Sequence, residues 1–257
     1  MKGSLFSAKG LSKRFGGVQA VDNVDLTIDE GQVIGLIGPN GAGKTTCFNL
    51  ITGLYTPDSG QFNFQGKDYR PKSPNEVARM GIARTFQNIR LFNSMTTIEN
   101  VCVGMHCRTQ QGVLGAVFRT PGQRSEEARI EKKALALLHY VGIGQYSNHL
   151  AAQLSYGDQR RLEIARALAS EPKVLALDEP AAGMNATEKL KLRELLLQIR
   201  KDNIAILLIE HDVKLVMGIC DQVTVLDYGK VIEQGTPAHV QQSPAVIEAY
   251  LGGLHHG

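Results

Sequence analysis

A short apolar run, Val33-Ile34-Gly35-Leu36-Ile37, passes directly into Gly38-Pro39-Asn40-Gly41-Ala42-Gly43-Lys44-Thr45-Thr46. The run has the length and composition of a buried strand, and the pattern after it predicts a helix over 44–52. Glycines at a strand-to-helix turn let backbone N–H groups converge at a helix N-terminus, where they form a phosphate site. The spacing of Gly38, Gly43, Lys44 and Thr45 satisfies G-x-x-x-x-G-K-[ST]. In that pattern Lys44 supplies charge at the β- and γ-phosphates, and the Thr45 hydroxyl binds Mg²⁺. A strand, phosphate loop and helix in this order specify a nucleotide-binding α/β fold.

Three further segments follow in order: Leu154-Ser155-Tyr156-Gly157-Asp158-Gln159, Leu177-Asp178-Glu179-Pro180, and His211. Asp178 ends an aliphatic strand, where a carboxylate has little reason to be unless a cation meets it, so it is the candidate second Mg²⁺ ligand. Glu179 is the candidate general base for a water attacking the γ-phosphate, although an acid at a strand end can also merely cap a turn. Ser155 and Asp158 have the spacing of a capping box ahead of Leu162, Ile164, Ala165 and Leu168 on a helix. A Ser and a Gly at an exposed helix start also offer an anion site, through the hydroxyl, the N–H groups and the helix dipole. The four motifs together point to an ATPase.

Val18, Ala20, Val24, Leu26 and Ile28 alternate with polar residues, the pattern of half-buried antiparallel strands. Helices are expected over 98–105 and 125–141, within a stretch from 88 to 155 of different texture. Beyond it the pattern predicts a helix over 155–169, a strand at 174–177, a helix over 186–201, strands at 205–209, 223–226 and 231–232, and a closing helix over 245–251. This alternation predicts a mostly parallel sheet covered by helices. The expected organisation is one domain over 1–257, with a core of 1–87 and 156–257 interrupted by a helical insertion at 88–155.

The formal net charge of +3 is too small to announce nucleic acid as a partner. The longest aliphatic runs are strand-length, so no membrane span is expected, and the N-terminus lacks the pattern of a signal peptide. Cys47, Cys102, Cys107 and Cys220 have neither zinc-like nor disulfide-framework spacing and read as reduced thiols of a cytosolic protein. Asn185-Ala186-Thr187 is a chance sequon in that setting.

On these motifs the chain resembles the ATP-binding subunits of ABC transporters, with residues 154–159 as a Tyr-for-Gly variant of the signature motif. The resemblance covers essentially the whole chain. It implies a P-loop NTPase core with a mostly parallel sheet, an N-terminal antiparallel β layer and an inserted helical subdomain. It also implies a head-to-tail dimer, in which Ser155 and Gly157 of one subunit close over ATP held by Lys44 of the other. By the same resemblance Phe15, which alone would be read as core, stacks on adenine. Gln87 reaches Mg²⁺ and the attacking water, and His211 contacts the γ-phosphate. Asn185 stands where the family usually has Asp; it keeps a hydrogen-bonding side chain without the charge, and can cap the next helix with Glu188 at N3.

The segments 84–92, 95–100, 154–163, 178–183, 209–212 and 249–252 narrow the resemblance to ATPases of bacterial branched-chain amino-acid importers. That family implies two membrane permeases, a second ATPase subunit, a periplasmic binding protein, and a place on the inner face of the cell membrane. ATPases of lipopolysaccharide export are the rival within transport. A chromosome-structuring or DNA-repair ATPase would carry a long coiled coil, and no sustained heptads occur. Ribosome-acting relatives usually hold two cassettes where this chain has one, and a GTPase would want an Asn-Lys-x-Asp base reader, which is absent from the sequence.

Overall fold

The computed structural model describes residues 4–105 and 121–252. Its centre is a six-stranded sheet of order β10-β9-β3-β8-β7-β6. The strands are β3 (Val33–Ile37), β6 (Ile82–Arg84), β7 (Val174–Asp178), β8 (Ala205–Ile209), β9 (Gln222–Asp227) and β10 (Lys230–Gly235). All neighbours pair in parallel except β10 with β9. Every residue of β3, β7 and β8 is buried. Both faces of such strands are covered, which is why they read as unbroken apolar runs rather than alternating ones.

A second sheet of order β2-β1-β4-β5 is antiparallel, with β1 (Phe6–Phe15), β2 (Val18–Ile28), β4 (Ser59–Phe64) and β5 (Lys67–Tyr69). Helix α1 (Lys44–Ile51) joins the two sheets: its Cys47, Phe48, Leu50 and Ile51 share one apolar cluster with Phe6, Leu26 and Phe62 of one sheet and Ile34, Val174 and Leu207 of the other.

The alternation expected in β2 holds only in part. Val24, Leu26 and Ile28 are buried, but before them the buried residue is Val21, while Val18 is 67% exposed. The pairing slips between Leu11–Val24 and Lys13–Val21, where β2 contains one extra residue and Asn23 takes φ +53°. A bulge of this kind breaks the alternation, and a second slip between Lys13–Val21 and Arg14–Gln19 breaks it again before Val18.

The opposite face of the central sheet carries α3 (Thr97–Met105), α4 (Pro121–Tyr140) and α5 (Tyr156–Leu168), packed on one another through Val101, Ala134, Leu138, Leu162 and Ala165. Helix α5 therefore packs with the helices of the 88–155 stretch, although the expected boundary assigned it to the core. At Gly104 a Cβ would lie 2.2 Å from the Arg166 carbonyl, so only glycine allows α3 to approach α5 this closely.

Helices α6 (Ala186–Lys201), α7 (Val213–Ile219), α8 (Pro237–Gln242) and α9 (Pro244–Gly252) complete the fold with α2 (Pro74–Met80). The sequence pattern left 53–87 without elements, yet β4, β5, α2 and β6 lie there. Cys47 and Cys220 are buried, and burial pushes both thiols up to about 12; Cys102 is half-buried and Cys107 lies outside the described residues.

Candidate functional site

The phosphate loop leaves β3 and enters α1 at Gly43, which caps that helix without a side-chain hydrogen bond. The first amides of α1 are thus left for an outside acceptor. Glycine is required at two positions by what surrounds the loop. A Cβ on Gly38 would sit 2.1 Å from the Leu226 carbonyl, and one on Gly43 2.2 Å from the Ala20 carbonyl. Pro39, Asn40, Gly41 and Ala42 form the turn between them, Thr45 is exposed, and Thr46 is half-buried at the helix start.

Lys44 is 6% exposed, and its Nζ donates to the carbonyls of Gly38 at 2.9 Å and Pro39 at 2.8 Å. Burial lowers its pKa, opposed by the charges of Glu179 and, less strongly, Asp178. The ammonium is therefore dehydrated and folded into the loop, ready for a stronger anionic partner.

Asp178 at the end of β7 is 3% exposed, and its Oδ1 has no hydrogen-bond partner among the described residues. Burial pushes its pKa up, against the opposing pull of Arg84. Glu179 follows in the left-handed region, at φ +49°, a backbone state that costs a non-glycine residue about 1–3 kcal/mol. Its two carboxylate oxygens meet separate partners: Gln87 Nε2 donates to Oε2 at 3.2 Å, and His211 Nε2 lies 2.8 Å from Oε1. Two candidates from distant segments thus converge on the carboxylate of a third.

Ser155 is the N-cap of α5, and its Oγ accepts the Asp158 amide at 3.2 Å. The expected capping box is only half formed. The Asp158 carboxylate instead takes the Ser155 hydroxyl at 2.8 Å and Arg161 at 2.5 Å, since Asp is one methylene shorter than the Glu or Gln that reaches back to the N-cap amide. Gly157 packs against α6, where a Cβ would lie 2.6 Å from Glu188 Oε1. Asn185 and Glu188 form a complete capping box on α6. Phe15 is exposed near the Gly16-Gly17 turn, edge-on to Tyr55 at 5.4 Å with Lys13 Nζ 5.6 Å from its ring. Among the described residues, no hydrogen bond joins Phe15, Ser155 or Gly157 to Lys44, Asp178, Glu179 or His211.

Residues 21–182 match the model of the ABC transporter family. The chain belongs to that family. Residues 230–256 match a second model, branched-chain amino acid ATP-binding cassette transporter. The chain is 45% identical over 253 residues, 98% of its length and 99% of the relative's, to the high-affinity branched-chain amino acid transport ATP-binding protein LivG of Salmonella typhimurium. It is 44% identical, over the same shares, to the corresponding protein BraF of Pseudomonas aeruginosa. Among solved structures it superposes on the ADP conformation of an ATP-binding cassette of an ABC transporter with TM-score 0.85 and 32% identity, over 97% of this chain and 99% of that one. A dimeric, ADP- and phosphate-bound cassette in a post-hydrolysis state gives TM-score 0.75 and 25% identity, over 90% of this chain and 98% of the other.

Two residues beside the candidate site escaped the sequence reading. Glu210 is buried, and its carboxylate accepts the amides of Ala181 at 2.7 Å, His211 at 3.1 Å and Asp212 at 3.4 Å. It ties the loop after β7 to the loop after β8, which sets His211 opposite Glu179. Its signal was available: an acid directly after a buried aliphatic strand, as with Asp178. Arg84 lies between the rings of Phe48 and Phe86, 4.9 and 4.7 Å from their centroids, and donates to Asn49 at 3.0 Å and Thr52 at 2.7 Å.

The residues fit a magnesium nucleotide. No cluster of three His, Cys, Asp or Glu able to hold a metal occurs among the described residues, so an all-protein cage is absent from them. Mg²⁺ characteristically takes one or two carboxylates and completes its shell with substrate phosphates and water. The orphaned Oδ1 of Asp178 and the exposed Thr45 hydroxyl suit that arrangement.

Proposed function

We propose that this chain is the ATP-hydrolysing subunit of an ABC importer that energises uptake of branched-chain amino acids through a partner membrane permease. The observation that carries this reading is the 45% identity to LivG over nearly the full length of both chains. The phosphate loop and the convergence on Glu179 supply the chemistry that reading needs.

In the proposed mechanism residues 38–46 hold the phosphates through backbone N–H groups, with Lys44 transferring its contacts from the Gly38 and Pro39 carbonyls to phosphate oxygens. Thr45, Asp178 and Gln87 would hold Mg²⁺, which neutralises charge developing on the β- and γ-phosphates. Glu179 accepts the proton of the attacking water. A carboxylate oxygen has two lone pairs, so Glu179 can do this while Gln87 and His211 remain on it. His211 completes the grip near the γ-phosphate, and Phe15 offers its exposed ring to adenine.

In the proposed assembly two ATPases meet head to tail, Ser155 and Gly157 of each closing over the nucleotide of the other, and a related ATPase is the second subunit. ATP favours the closed dimer, and hydrolysis with product release reopens it; the affinity difference between the two states does work on the permease. The core of 1–87 and 156–257 and the helical stretch of 88–155 would form the permease groove near 87–91 and 98–107, of which 106 and 107 lie outside the described residues. The protein would sit on the cytoplasmic face of the inner membrane, fed indirectly by a periplasmic binding protein. No helix among the described residues is long and apolar enough to cross a membrane, which suits a peripheral subunit.

The test is to capture tagged Glu179→Gln protein with Mg-ATP from detergent-solubilised membranes of its own source and identify its companions by mass spectrometry. Two permeases and a second ATPase, with leucine uptake lost on deletion, are the expected result. Lipopolysaccharide-export components, ribosomes or DNA in their place would overturn it.

A further inference from the structure

The ion pair of Arg160 with Glu163 has no part in the chemistry above, yet it is among the most deeply buried charge in the described structure, at 3% and 2% side-chain exposure. Charges at this depth are costly unless their hydrogen-bonding directions are used. Here most of them go to one segment. Arg160 Nη1 donates to the Phe86 carbonyl at 2.8 Å and to Glu163 at 3.3 Å; Nη2 donates to the Gln87 carbonyl and to the Tyr156 hydroxyl at 2.9 Å. Glu163 Oε1 accepts the amides of Phe86 at 3.4 Å and Arg90 at 3.5 Å. The Arg160 Nε is left without a partner, so the guanidinium is oriented to serve the 86–90 main chain at the expense of one of its own donors.

That segment belongs to no helix or strand, and it carries Gln87, whose side chain meets Glu179 at 3.2 Å. A continuous path of direct contacts therefore runs from the Tyr156 hydroxyl through the Arg160 guanidinium to the Gln87 carbonyl, and from the Gln87 amide to Glu179. Its outer end is exposed: Tyr156 is 43% accessible, beside Ser155 at the start of α5, and the Arg160 guanidinium lies 5.4 Å from its ring centre. Glycine at position 156 would have no hydroxyl to offer Arg160.

We propose that Tyr156 and Arg160 are positioning residues that hold Gln87 against Glu179, so that what binds at the start of α5 tunes hydrolysis at the Glu179 of the same chain. The proposal rests on the ATPase reading. In the head-to-tail dimer the group arriving at Ser155 is the nucleotide held by the partner, and the path makes each site respond to occupancy of the other. Tyr156→Phe removes only the hydroxyl from an exposed ring and leaves the packing of α5 intact. Arg160→Lys keeps the charge but loses the planar fork that spans two carbonyls.

The experiment is a double-mutant cycle in single-turnover and steady-state ATP hydrolysis, using wild type, Tyr156→Phe, Gln87→Ala and the double variant, with amide hydrogen exchange on each of these and on Arg160→Lys. Tyr156→Phe is expected to lower kcat about fivefold with KM for ATP unchanged, the size of one ordinary net hydrogen bond of about 1 kcal/mol at a half-exposed side chain. With the Gln87 side chain already removed, the same change should cost less than about 1.5-fold, since residues acting through one another are not additive. Exchange at 86–91 should rise in Tyr156→Phe and rise further in Arg160→Lys, with β7 unchanged. Equal losses in both backgrounds, no loss in either, or unchanged exchange at 86–91 would overturn the proposal. If wild type hydrolyses no more ATP than Lys44→Ala, the ATPase reading itself has failed, and the exchange data still decide whether Tyr156 and Arg160 hold the Gln87 segment.

Discussion

Replacing Asp178 with Asn should stabilise the nucleotide-free protein at neutral pH while removing its use of Mg-ATP. Asp178 ends β7 almost fully buried, with one carboxylate oxygen unpartnered and burial the dominant influence on its pKa. A buried polar group left unsatisfied costs about 1–3 kcal/mol, and more when charged. The isosteric amide still leaves a polar atom at that position but removes its charge, so it should recover the part of the cost due to charge, on the order of 1–3 kcal/mol. For a domain of this size each kcal/mol moves the melting temperature by about 2–4 °C, so the gain should lie at about 2–12 °C. Lys44 keeps its stronger electrostatic partner, since Glu179 acts on it more than Asp178 does.

The sign of the pH dependence follows from the direction of the shift. With its folded pKa raised above the usual 3.8, Asp178 contributes stability that is fully present below that value and is lost as pH rises through the folded pKa. Asn does not titrate, so the gap between variant and wild type should open across that window and stay constant above it. Melts followed by near-UV circular dichroism from pH 4 to pH 8, without nucleotide and with EDTA, measure this. A variant that melts below wild type at pH 7.5, or a gap that does not change with pH, would refute the reasoning.

Gly43→Ala places a Cβ 2.2 Å from the Ala20 carbonyl at φ +96°, so it should destabilise the protein by more than about 2 kcal/mol and abolish binding of a fluorescent ATP analogue; wild-type stability would count against the packing described for the loop. Glu179→Gln should retain ATP while losing about 10²–10⁴-fold in kcat, as removal of a general base does, and turnover at the wild-type rate would remove that role from Glu179. The rise in melting temperature on adding ATP should shrink when EDTA replaces Mg²⁺, because a ligand stabilises in proportion to its affinity, and an identical rise would show that no divalent cation is held. Arg90→Glu, on an exposed side chain beside Phe86, should weaken transport more than basal ATP hydrolysis, whereas equal loss of both would speak against a permease contact there.

The parts of the fold legible in the sequence were those carried by local pattern. The runs 33–37, 174–177 and 205–209 had to be strands covered on both faces because they are apolar throughout, and they are fully buried. The acid that ends one of them, Asp178, stood out for the same reason. Alternation failed where the backbone broke its own period, at Asn23, since a bulge leaves no mark in hydrophobicity. Residues 53–87 carried too little pattern: Phe62 and Phe64 are the buried residues of β4, and Val77 is the one buried residue of α2. The grip of Glu163 on Phe86 spans 77 residues of sequence, and Glu210 reaches Ala181 across 29. Contacts of that range depend on how β6, β7 and β8 lie side by side, which no window of sequence contains.

The most direct test of transport is uptake of radiolabelled leucine by cells of the protein's own source in which its gene is deleted and then restored. Uptake should fall on deletion, return with the wild-type chain, and stay low with Glu179→Gln expressed to the same level. Uptake unaffected by deletion, or restored equally by Glu179→Gln, would contradict the account.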